Sequence, residues 1–161
     1  MLLSKSCVYG IRAALYMATR KDRDFIPIRE ISNDLDISFH FLTKILQQLS
    51  SADLMESFRG PNGGIRLTKD GSDVTLMEVV VAIDGIELFT ECALGLPGCG
   101  VEKPCPLHDK WAVTRDSIRN MLENTTLTEM ARKAREEDLR LSDDSGIRTA
   151  LGLDKEDDEQ E

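Results

Sequence analysis

"SFHFLTKILQQLSSADLMESFRGPNGGIRLTKD", residues 38–70, changes its hydrophobic period partway along and so holds two kinds of element. In its first half Leu42, Ile45, Leu46 and Leu49 recur at helical spacing, leaving His40, Thr43, Lys44 and Gln47 on the opposite face. Residues 54–58 and 65–67 then alternate as strands do, and the turn between them is rich in Gly, Pro and Asn, the signature of a β-hairpin. Upstream, Pro27 opens a short helix with Ile28, Ile31 and Leu35 turned inward, and "LDIS" closes it before Ser38 caps the next. Two short helices joined by such a turn make a helix-turn-helix, and a hairpin directly after one is a wing. The expected fold is therefore mainly α with a small β-hairpin, a winged helix-turn-helix. In that arrangement the outward helix face reads base edges in the major groove, while Arg59, beside the flexible Gly60, enters a narrow minor groove. An ordinary helical hairpin followed by a surface hairpin fits the same pattern. Gly60, Gly63 and Gly64 read as positions that need positive φ, since their spacing matches no nucleotide-binding loop.

Outward from this stretch, Cys7, Val8, Ile11, Ala14, Leu15 and Ala18 line one face of a core helix over residues 4–19. Thr75 and Glu78 fit a capping box that opens the helix "LMEVVVAIDG", and Gly85 stops it. Leu107, Trp111, Ile118 and Leu122 are spaced four, seven and four, giving a long helix with a narrow apolar seam. Inside one chain the seam could pack on the wing domain, but it is expected to pair with a second copy, making this a dimerisation helix. Thr126 and Glu129 form another capping box before "LTEMARKARE". The organisation read from these signals is a winged helix-turn-helix domain over 1–84 and a loop over 85–108. A dimerisation helix with a following short helix spans 106–140, and an acidic disordered tail spans 141–161.

The 161 residues carry a net charge of −9, which argues against a nucleic-acid partner until the charge is located. Residues 1–73 hold ten Lys/Arg against nine Asp/Glu, whereas residues 142–161 hold two against eight. The acidity thus lies mainly outside the DNA-binding segment, in the middle of the chain and in a tail read as solubilising. No apolar run approaches the roughly 20 residues that span a bilayer, and charges interrupt the N-terminal stretch. A cytoplasmic protein with no membrane partner is expected, with reduced thiols and no glycosylation at Asn124.

Residues 91–108, "ECALGLPGCGVEKPCPLH", pose a separate question. Three cysteines and one histidine share this stretch with three prolines and three glycines, and it has too little apolar periodicity to order itself by burial. A metal can order it. Cys92, Cys99, Cys105 and His108 are separated by six, five and two residues, a donor set suited to tetrahedral zinc or to an iron–sulfur cluster. Zinc sites usually bring ligands in tight pairs, and only Cys105 and His108 are so spaced, which favours a wider, two-iron object. Pro104 and Pro106 hold the Cys105 backbone extended.

The succession of helix-turn-helix, "RGPNGG" wing, "TLMEVVVAIDG" helix, C-x₆-C-x₅-C-x₂-H loop and long helix followed by "NTTLTEMA" resembles the Rrf-type bacterial winged-helix regulators over residues 1 to about 135. The similarity is greatest to the family's iron–sulfur cluster regulators, with its nitric-oxide sensors as relatives. It implies a homodimer acting on a double-stranded DNA operator, with a cluster held by Cys92, Cys99 and Cys105. It also implies that Ser38, His40, Phe41, Thr43 and Lys44 lie along the recognition helix, with Arg59 in the wing. The family differs in its fourth ligand. The cluster regulators supply a histidine, matched by His108, and carry a two-iron cluster (2Fe–2S); the nitric-oxide sensors take an aspartate from the partner's first helix, where this chain has Val8. Two departures stand out: the first two cysteines are one residue further apart than is usual in the family, and Cys7, read as a buried core residue, adjoins the aspartate position. The expected protein is a regulator whose DNA affinity or specificity follows a cluster that senses cluster supply, redox state or nitric oxide. The cluster sets the spacing of two recognition helices meeting major grooves about 34 Å apart. A four-iron cluster (4Fe–4S), a zinc-stabilised regulator without redox sensing and a small iron–sulfur electron carrier are the alternatives. No nucleophile–base pair or paired acids stand out, so no enzyme is expected.

Overall fold

Ser4 starts the first helix. Its Oγ accepts the Cys7 N–H at 3.0 Å, and α1 then runs Lys5–Ala18. The computed structural model describes residues 2–20, 23–68, 73–100 and 102–136; the acidic tail expected over 141–161 lies outside these described residues. At Gly10 of α1 a Cβ would lie 2.2 Å from Ile83 Cδ1, so the missing side chain lets α4 (Leu76–Asp84) approach closely. α2 (Ile28–Asp34) begins after Pro27 and is tied to the end of α1 by Tyr16, whose hydroxyl donates to Asp34 at 2.5 Å while Arg20 stacks on its ring. α3 (Phe39–Ser51) follows a short turn in which Asp36 takes φ 50° and Ser32 Oγ donates to the Ile37 carbonyl at 2.7 Å.

The hairpin consists of β1 (Met55–Phe58) and β2 (Gly64–Leu67), antiparallel in the register Met55↔Leu67 to Phe58↔Gly64. Ile26 adds a two-way bridge to Ile65, at 3.0 and 2.9 Å, which fastens the wing to the start of α2. Leu54 and Met55 are both buried whereas Phe58 is 57% exposed, so strict alternation does not hold through this strand. The glycine reading needs correcting in part. Gly60 does take positive φ (138°), but Gly63 and Gly64 do not. They are required by space: a Cβ at Gly63 would lie 2.5 Å from the Phe58 carbonyl oxygen, and one at Gly64 would lie 2.4 Å from that of Ile26.

The capping box at Thr75 and Glu78 forms as expected, and Gly85 ends α4 with φ 83°. A short 3₁₀ turn (Glu87–Phe89) buries Phe89, and the described residues that follow form no helix or strand before α5 (His108–Glu123) and α6 (Leu127–Glu136). The connection between α5 and α6 bonds back to the head: the Leu76 N–H donates to Thr125 at 2.9 Å, and the Leu127 N–H to Val74 at 3.0 Å. α6 lies on α1, and Leu122 and Leu127 belong to the same apolar core as Cys7, Leu46 and Val80. One core therefore crosses the boundary drawn after residue 84.

Candidate metal centre and nucleic-acid interface

The described residues between 90 and 107 bury little apolar surface. Leu94 and Leu96 are exposed, and Gly95 and Gly98 take φ 69° and 70° to turn the chain. What the loop does assemble is a set of donors in two pairs. Cys92 Sγ lies 3.7 Å from Cys105 Sγ, and Cys99 Sγ lies 3.6 Å from His108 Nδ1. Two thiolates on one tetrahedral metal, each about 2.3 Å from it, stand about 3.8 Å apart; a thiolate and an imidazole stand about 3.6 Å apart. Both pairs have the separation of ligands that share a metal atom. Among the described residues no three His, Cys, Asp or Glu side chains close on a single ion. The Cys92 thiol is held below its ordinary range, first by a hydrogen bond from the Leu94 backbone, then by others from Leu96, Cys105 and Cys99. A stabilised thiolate is the form that binds metal. All four cysteines are free thiols.

α5 carries the loop. His108 is its first residue, with its N–H donating to the Cys105 carbonyl at 2.9 Å, and three further side chains on the same face reach back. Trp111 Nε1 donates to the Glu91 carbonyl at 2.9 Å, an Arg115 guanidinium nitrogen lies 3.8 Å from Cys99 Sγ, and Arg119 donates to the Phe89 carbonyl at 2.7 Å. Steps of three, four and four keep 108, 111, 115 and 119 on one face of the helix.

Part of the expected dimerisation seam is engaged within the single chain. Leu122 is only 4% exposed within the single chain, Ile118 packs against the same core, and Trp111 is engaged with the loop. The stripe points inward because α5 must cover α4 and the 3₁₀ turn; of the four seam residues only Leu107 is exposed. The exposed apolar side chains within α5 are Val113 and Met121, on another face.

On α3 the outward face matches the pattern: His40, Lys44 and Gln47 are exposed, as is Ser38 just before the helix. Thr43 is half-buried, its hydroxyl donating to the Phe39 carbonyl at 2.7 Å. Phe41 faces elsewhere. Its ring meets Tyr9 of α1 edge-on at 5.9 Å and packs against the core, because residue 41 sits at the margin of the buried stripe. Arg29 of α2 is a cation the sequence reading passed over; it lies over the Phe39 ring at 5.0 Å beside the start of α3. In the wing the two arginines differ. Arg66 is paired with Glu56 at 2.5 Å and with Asp24 at 3.7 Å, whereas exposed Arg59 has no ion pair among the described residues. Cys7 is fully buried beside Asp84, and its thiol is pushed up to about 12, chiefly by burial.

Residues 3–133 match the family described as Rrf2, iron-dependent transcriptional regulator. The chain is 32% identical over 130 residues to the HTH-type transcriptional regulator IscR of Escherichia coli, covering 81% of this chain and 80% of that protein. Among solved structures, CymR, the global cysteine regulator of B. subtilis, superposes with a TM-score of 0.70 at 22% identity, covering 81% of this chain and 95% of its own. The IscR of T. potens superposes with a TM-score of 0.68 at 21% identity, covering 86% and 91%. These two likenesses establish the winged-helix fold.

Proposed function

The chain belongs to the Rrf2 family of iron-dependent transcriptional regulators, and we propose that it acts as a homodimer whose DNA affinity or choice of operator is set by a two-iron cluster on Cys92, Cys99, Cys105 and His108. The family regulates transcription and is not enzymatic. The observation that carries the cluster reading is the pairing of the four donors, 92 with 105 and 99 with 108, at separations suited to two metal atoms. When bound, the cluster supplies a one-electron redox centre open to oxidation and to nitric oxide.

The chain's own residues connect that centre to the head. Trp111, Arg115 and Arg119 hold the loop on α5, α5 packs on α4, and its Leu122 joins Leu127 of α6 in the core to which α1 contributes. A loop that is ordered or released thus biases the seating of α5, and a second copy meeting the outward face at Val113 and Met121 would convert that bias into the spacing of two α3 helices. His40, Lys44 and Gln47 face the major groove in this reading, and Arg59 the minor groove. No described helix is long and apolar enough to cross a membrane.

Purification without oxygen, followed by a visible spectrum and iron and sulfide assays, tests the proposal. About two irons and two sulfides per chain in a brown protein are expected. Stoichiometric zinc in a colourless protein would overturn the cluster reading, and about four irons would replace the two-iron assignment.

A further inference from the structure

The cage has a neighbour that its ligand set does not require. Arg115 stands on α5 beneath the loop, 3.8 Å from Cys99 Sγ, and its Nε is buried with no hydrogen-bond partner among the described residues. It takes part in none of the ion pairs between those residues. A guanidinium is charged at every pH a cell provides, and holding one half-buried is costly unless an anion completes the site. Three thiolates and a neutral imidazole around an oxidised two-iron core leave a single negative charge, which doubles when one electron is added.

We infer that Arg115 is the charge-compensating residue of the cage, stabilising the cluster through Cys99 and favouring its reduced state over its oxidised one. The inference rests on the two-iron reading above. Reduction adds one electron to the cluster, breaks no bond and leaves the guanidinium its proton. Arg115 then faces a larger negative charge, so its attraction is stronger in the reduced state. Its place, seven residues after His108, keeps it on the ligand-bearing face of the helix.

The test compares the parent protein with Arg115→Lys and Arg115→Gln, all purified anaerobically and titrated with dithionite while visible absorption and the electron paramagnetic resonance of the reduced form are recorded. Arg115→Gln is expected to lower the ratio of reduced to oxidised protein at fixed potential about tenfold, which is 59 mV for a one-electron couple. Arg115→Lys should stay close to the parent. Loss of iron from the Gln variant but not from the Lys variant would support the same role. Equal potentials in the parent and Arg115→Gln would overturn the inference, as would equal falls in both variants, since geometry rather than charge would then be at work. A parent with no iron–sulfur spectrum would remove the cluster reading itself and this inference with it.

Discussion

Cys7 and Cys92 have the same side chain and opposite chemistry, and their surroundings account for it. Cys7 is enclosed between α1 and α4 near Asp84, which also accepts the Ser4 N–H at 2.8 Å; burial and this carboxylate keep the thiol protonated up to about 12. Cys92 sits half-exposed in a turn whose backbone hydrogen bonds favour its thiolate. Metal-free protein treated with iodoacetamide at pH 8 should therefore be alkylated at Cys92 and spared at Cys7, as read by peptide mass spectrometry. Label on Cys7 in folded protein would mean that α1 opens there. The Cys7 shift also bears on stability. Its pKa is raised on folding, so its contribution is complete below the ordinary thiol value of 9.0 and is lost as the pH climbs toward about 12. The urea midpoint should fall over that window, and Cys7→Ala should fall less steeply. The sequence showed Cys7 as apolar by position, but its partner Asp84 is separated from it along the chain and is joined to it only by folding.

At the scale of elements, the wing separates what patterning reveals from what it hides. The Gly-rich turn and the flanking strands were legible because turn chemistry is local. The different duties of the two arginines were not, because Asp24 and Glu56 reach Arg66 from other segments. Arg59→Ala is expected to weaken operator binding by about 1–3 kcal/mol and to leave the thermal midpoint unchanged, as measured by fluorescence anisotropy and calorimetry. Arg66→Ala removes exposed pairs worth at most about 1 kcal/mol and should change both quantities little. Undiminished affinity in Arg59→Ala would reduce the wing to a structural hairpin. The seam of α5 teaches the converse. A narrow apolar stripe states that a helix has a partner, but the same spacing serves a second copy or the chain's own core, and here Leu122 went to the core.

For the whole molecule, the consequence is that α5 and α6 are not appendages to a finished head. Leu122 and Leu127 share a core with residues of α1, α3 and α4, so truncating either should destabilise the entire chain by about 2–5 kcal/mol. Trp111, the single tryptophan, sits on α5 and reports that helix, while far-ultraviolet circular dichroism reports all of them. In urea the two signals should coincide, and Leu122→Ala should shift both together. A tryptophan transition well separated from the loss of helix would show that the head folds without α5.

The sequence by itself determined the elements and the candidate donor set. Helical and strand periods, capping boxes and turn residues act over a few positions, and a loop of breakers holding three cysteines and a histidine can be read one residue at a time. The tertiary structure alone decided how these are combined: Cys92 with Cys105, Cys99 with His108, Phe41 against Tyr9, Arg115 under Cys99, and the α5 stripe turned inward. The physical reason is that periodicity specifies which face of an element must leave water without naming what covers it, and that choice follows from how all the faces pack at once.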